Sequence, residues 1–161
     1  MDLLQKVEQL AAELEPPVVF YLDFSDVSSI DFSCADEFLG KLISRSISDE
    51  YGRHYFVLQQ LNENHQENIQ VALDRRKVAC LHRHSQSTWS LLGHTKTYLV
   101  ETLNIVMERG QITARELGDL LNLELTTSST RLFHLFKAHL VYRKQDIVDG
   151  GGHEYIYFKL F

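Results

Sequence analysis

Thr113-Ala114-Arg115-Glu116-Leu117-Gly118-Asp119-Leu120-Leu121, read with Thr126-Thr127-Ser128-Ser129-Thr130-Arg131-Leu132-Phe133-His134-Leu135-Phe136, decides the fold of the C-terminal half. Thr113 followed three residues later by Glu116 is a capping box, in which the two side chains satisfy the unpaired amides at a helix start. Leu117, Leu120 and Leu121 supply that helix with an apolar side. Leu123-Glu124-Leu125 reads as a turn, with Thr126 or Thr127 capping a third helix that runs to about His139 and turns Leu132, Leu135 and Leu140 inward. Upstream, residues 97–108 carry Leu99, Leu103, Val106 and Met107 on one helical face, and Gly110 suits the C-cap. Downstream, residues 141–146 and 155–158 flank Val148-Asp149-Gly150-Gly151-Gly152-His153, a glycine-rich turn of the kind that joins hairpin strands. The expectation for 97–161 is three helices and a terminal hairpin.

The N-terminal half has a different rhythm. Leu3, Leu4, Val7, Leu10, Ala11 and Leu14 follow helical spacing, and Pro16-Pro17 stops the helix. Val18-Val19-Phe20-Tyr21-Leu22 reads as a strand covered on both faces. A helix is expected over 33–47 with Ser33 as its cap, a strand over 53–61, a helix over 68–77 and a third apolar run at 78–81. Strands alternating with helices predict a parallel or mixed sheet. The fold class expected is therefore α/β followed by α+β, with a first domain at 1–86, a linker or the start of a connecting helix at 87–96, and a second domain at 97–161.

Composition narrows the function classes. With 161 residues, 44% hydrophobic and 11% aromatic, the chain has enough apolar material for a packed core. Apolar runs are far below the ~20 residues of a membrane span, and no secretory signal opens the chain. Two cysteines are too few for a disulfide scaffold, so a cytoplasmic home and no membrane partner are expected. The net charge of −6 lies in the first 85 residues, with eight Lys/Arg against fourteen Asp/Glu, while the remainder holds eight of each. An acidic half beside a neutral one suggests two modules, and neither is basic enough for charge alone to announce nucleic acid.

The C-terminal seventy residues resemble the winged helix-turn-helix domains of prokaryotic transcription regulators. Residues Ile112 to Leu121 look like their second helix, and Ser129-Thr130-Arg131-Leu132-Phe133-His134-Leu135 looks like the recognition helix. Leu140-Val141-Tyr142-Arg143 and Gly151-Gly152-His153-Glu154-Tyr155 look like the entry and exit of the wing. His139 stands where such domains usually carry glycine. The N-terminal half resembles the STAS-like family, relatives of the anti-sigma-factor antagonists, through Leu22-Asp23-Phe24-Ser25-Asp26-Val27, Ile30-Asp31-Phe32-Ser33 and Ala35-Asp36-Glu37-Phe38-Leu39-Gly40-Lys41-Leu42. The Ala-Asp-Glu element points to an uncharacterised prokaryotic branch. In phosphorylated antagonists a serine directly follows the matching aspartate; here Phe32 does, and Ser33 lies one residue on.

These resemblances imply a DNA-binding transcriptional regulator whose STAS-like half is a sensory or protein-interaction unit. Double-stranded DNA and a second copy of the chain (a homodimer) are the expected partners, with a protein partner on the STAS-like half. Candidate DNA contacts are Thr126, Thr127, Ser128, Ser129, Thr130, Arg131 and His134 on the recognition helix, and Arg143 and Lys144 on the wing. Arg131 is the candidate for bidentate guanine contact. Candidate interaction residues are Phe133 and Phe136, which form an apolar patch if exposed, together with Asp31, Ser33, Asp36 and Glu37. The alternative is an adaptor whose winged helix docks a protein. Cys80, His82 and His84 would share one face of an extended segment, and Cys34, His94 or His139 would complete a metal site, but the spacing matches no zinc finger. Carboxylates at Asp31, Asp36 and Glu37 stand without a nucleophile–base pair, phosphate loop or nucleotide fingerprint. No metal, no cofactor and no enzymatic activity are expected.

Overall fold

The computed structural model describes residues 2–161, which form a mixed α/β chain with two sheets. The chain divides into two compact units, residues 1–95 and 96–161.

In the first unit, α1 (Leu3–Glu13) is capped by Asp2, and β1 (Val19–Asp23) follows the proline pair. A continuous helical segment comes next: α2 (Phe32–Ala35), a π-helical turn (Asp36–Gly40) and α3 (Lys41–Ile47). Then come β2 (Tyr55–Gln59), α4 (Glu63–Arg75), β3 (Ala79–Arg83) and β4 (Trp89–Gly93). The sheet order is β1-β2-β3-β4, parallel across the first three strands and antiparallel at β4. One core joins Val7, Phe38, Leu39, Leu42, Ile69 and Leu73 of the helices to Phe56, Leu58, Cys80 and Leu92 of the strands.

Several expectations change here. β1 is an edge strand, and Tyr21 is exposed; the strands buried along nearly their whole length are β2 and β3. Asp31, not Ser33, caps the helix at 32, accepting from the Cys34 amide at 2.7 Å. Asn62 belongs to α4 as its cap, with His65 closing the box from N3, so that helix starts five residues before the expected point. Residues 87–96 are no linker: they hold β4. Ser85 to Thr88 is the turn of the β3–β4 hairpin, closed by Ser85 Oγ and Thr88 Oγ1 at 2.7 Å. Gly93, at φ +96°, lets that strand pass the Val78 carbonyl where a Cβ would lie 2.1 Å from the oxygen.

The second unit runs α5 (Thr97–Arg109), β5 (Gln111–Thr113), α6 (Ala114–Leu121), α7 (Leu125–Lys137), β6 (Tyr142–Ile147) and β7 (His153–Phe158). The capping box at Thr113 and Glu116 is present, and Gly110 closes α5 at φ +86°. A short strand, β5, pairs with β7 to give the sheet order β5-β7-β6. Leu103, Val106, Ile112, Leu117, Leu132, Leu135 and Val141 are buried. Leu120, expected inward, is exposed. His139 adopts φ +57°, the left-handed conformation that its position after α7 demands.

Candidate nucleic-acid interface

α7 starts one residue earlier than Thr126, with Glu124 at the N-cap and no side-chain cap bond. The close α6–α7 turn explains the shift. At Gly118 a Cβ would meet the Leu123 carbonyl at 2.9 Å and Ser128 Oγ at 3.0 Å, so the chain folds back tightly only because that side chain is missing. Ser128 is consequently buried, its hydroxyl donating to the Glu124 carbonyl at 3.2 Å, and it does not belong to the surface on which it was expected. The hydroxyl-bearing residues Thr126, Thr127, Ser129 and Thr130 remain exposed, as does His134. Thr130 Oγ1 donates back to the Thr126 carbonyl at 2.8 Å.

Arg131 is not free. Its Nη1 donates to Glu101 Oε2 on α5 at 3.0 Å, its guanidinium lies 5.3 Å from the Tyr98 ring centre, and its side chain is only 18% exposed. Tyr98, Thr126, Thr127, Thr130 and Arg131 line a shallow depression of about 400 Å³. Tyr98 Oη also stands 3.5 Å from His134 Nδ1.

The hairpin divides the two basic residues assigned to it. Successive strand residues point to opposite faces, so Arg143 and Lys144 do not line one surface. Arg143 is enclosed by rings, 3.8 Å from the centre of Tyr155, 4.2 Å from Phe136 and 5.5 Å from Phe133, and its Nη1 donates to Tyr157 Oη at 3.3 Å. Lys144, on the other face, extends along the stacked Tyr142–Phe158 pair, 5.6 Å from the Phe158 ring. Phe133 is 41% exposed and Phe136 half-buried, so the pair forms the partly open wall of the Arg143 enclosure. A second groove, about 230 Å³, runs between α7 and the hairpin, with Arg115, Leu125, Ser129, His153 and Tyr155 in its lining.

Of the residues singled out in the first unit, Asp31, Asp36 and Glu37 are used by the fold. Asp31 is a cap. Asp36 accepts both bonds of a fork from Arg76, from Nε at 2.6 Å and Nη2 at 2.9 Å, and the guanidinium holds its carboxyl below the ordinary carboxylate range. Gly40 leaves room for that fork, since a Cβ there would lie 2.6 Å from Arg76 Nε. Glu37 pairs with Lys41 along the helix. Ser33 is exposed, beside the exposed Cys34.

Cys80, His82 and His84 do not assemble into a ligand set, and no group of three or more His, Cys, Asp or Glu suited to a metal occurs among the described residues. Cys80 is buried, its Sγ donating to the Phe56 carbonyl at 3.3 Å, and burial pushes its thiol up to about 12. His82 is buried too; burial, then the neighbouring His84, pulls it down to about 4. The two rings lie 4.0 Å apart with Ser90 Oγ bonded to both, 3.4 Å from His82 Nδ1 and 2.8 Å from His84 Nε2.

Among the described residues no helix is long and apolar enough to cross a membrane. No family model and no curated protein matches the chain. One solved structure similar in part is named a possible transcriptional regulator from Methanosarcina mazei Go1. It shares 22% identity over 42% of this chain, with a TM-score of 0.39, and the matched part spans 57% of that protein.

Proposed function

We propose that the second unit is a winged helix-turn-helix that binds double-stranded DNA, with α7 as its recognition helix and the β6–β7 hairpin as its wing. The chain as a whole is then a transcriptional regulator in which a STAS-like first unit receives the signal, working as a homodimer so that two helices read two half-sites. The observation that carries this reading is the presentation of α7: its first turns hold Thr126, Thr127, Ser129 and Thr130 outward, at the end of a helix that follows α5, β5 and α6 and precedes a hairpin paired back to β5. Hydroxyls there hold backbone phosphates and place the helix against base edges. The second unit is electrically neutral, so binding is expected to be modest in strength and shallow in salt dependence. No catalytic step belongs to this function.

The test is a selection from a random duplex pool with the purified chain, followed by anisotropy titrations on the enriched duplex. One sequence should be enriched, and the double variant Thr127→Ala/Ser129→Ala should bind it roughly tenfold more weakly, the loss of two modest hydrogen bonds. Absence of any enrichment, with no duplex binding at low salt, would overturn the proposal. Exposed Phe133, Leu125 and Tyr155 favour a second reading, an adaptor docking a protein on this same face. In that case Phe133→Ser would abolish partner capture and the duplex titration would be flat.

A further inference from the structure

Resting on the duplex-binding reading of the second unit, we propose that the depression beside Tyr98 is a seat for a DNA backbone phosphate, and that Glu101 competes with that phosphate for Arg131. Glu101 thereby lowers duplex affinity without itself touching a base or a phosphate.

The chemistry is laid out around one guanidinium. Arg131 forms part of the depression wall together with the hydroxyl-bearing Thr126, Thr127 and Thr130 and with Tyr98. An anion entering there would meet the Arg131 guanidinium, except that its Nη1 already donates to Glu101 at 3.0 Å. The arrangement is breakable from one side. Glu101 is 55% exposed, so its carboxylate loses little on release to water, whereas Arg131 is held in place by Tyr98 and needs no large excursion to exchange one anionic oxygen for another. Such a pair lowers the reward for any chance encounter with a phosphate. Any duplex that seats a phosphate there must first displace the carboxylate, so Glu101 lowers the affinity for each of them.

The test compares wild type, Glu101→Gln, Arg131→Gln and the double variant on the selected duplex and on a scrambled one, across a series of salt concentrations. Glu101→Gln should tighten binding to the scrambled duplex about three- to tenfold, and steepen the log–log salt slope by about one, the signature of one added phosphate contact. The selected duplex should gain at least as much. In the double variant the gain should vanish, leaving it equal to Arg131→Gln. The proposal is overturned if Glu101→Gln leaves both affinity and slope unchanged, or if its gain survives the loss of Arg131. Wild-type binding to the selected duplex with no effect of Glu101→Gln sinks this inference alone. No binding to any duplex by any of the four proteins sinks the DNA reading with it. Coincident thermal melts of all four show that each is folded.

Discussion

Two helical segments of this chain open on dense runs of polar residues and put them to opposite uses. In the first unit, Asp31, Ser33, Asp36 and Glu37 lie at the start of the segment through Ile47. Asp31 caps it, Asp36 is locked in a fork with Arg76, and Glu37 reaches Lys41. In the second unit, α7 begins with Leu125 and five hydroxyl residues, of which only Ser128 turns inward. A motif recognisable by its residue types is thus largely consumed by architecture in one region and left facing solvent in the other. The difference lies in what stands opposite. Arg76 comes from the end of α4 to meet Asp36, while the Thr130 hydroxyl bonds back to the Thr126 carbonyl of its own helix.

The largest expected effect tests the architectural half. Asp36→Ala removes both acceptors of the Arg76 fork and leaves a largely shielded guanidinium unpaired, at an expected loss of about 2–3 kcal/mol in urea unfolding. Asp36→Asn, retaining one acceptor, should lose less. Because Arg76 lowers the folded-state carboxyl value, the stabilisation is present above the ordinary value of 3.8 and is lost as pH falls through the folded one. An Asp36→Ala protein as stable as wild type would mean that the motif is not architectural after all.

Next in size is the pH response of β3. His82 titrates at about 4 when folded against an ordinary value of 6.5, so the unfolded chain binds the extra proton between those values. Stability should fall as pH drops from 6.5 toward 4, by roughly 2 kcal/mol between pH 7 and pH 4.5 from this residue. Subtracting the fall seen in His82→Leu from that of wild type isolates it from the carboxylates. Equal falls in the two proteins would show that His82 is charged in the folded state.

How far the sequence could be read followed the range of the forces involved. Local signals were legible: the Thr113–Glu116 box, Gly110 and His139 at helix ends, and the glycine turn between β6 and β7 all rest on contacts within a few residues. Long-range pairing was not. β4 lies in a stretch with only Trp89, Leu91 and Leu92 to mark it, and its strand character comes from pairing with β3. β5 is three residues whose partner lies more than forty positions away. At the candidate interface, Thr126, Thr127, Ser129 and Thr130 are exposed and Ser128 is buried. Nothing local could reveal that Glu101, thirty residues upstream, holds Arg131, or that four rings gather round Arg143. The start of α4 at Asn62 is marked by an unusual box, an Asn followed three residues later by His, so the helix is expected only from 68.

The smallest expected effect is the one that sharpens the contrast most. Thr127 and Ser129 are exposed, lie on a helix without a side-chain cap, and donate no hydrogen bond that the fold requires. Threonine and serine are also poorer helix formers than alanine. Thr127→Ala/Ser129→Ala should therefore change unfolding free energy by less than about 0.5 kcal/mol, in the stabilising direction if at all, while weakening duplex binding. Set beside Asp36→Ala, this is a double dissociation: one substitution removes stability and spares binding, the other removes binding and spares stability. A destabilisation of 1 kcal/mol or more in the α7 variant would mean that these hydroxyls hold the fold together, and α7 would then resemble the helix at Asp31 rather than oppose it.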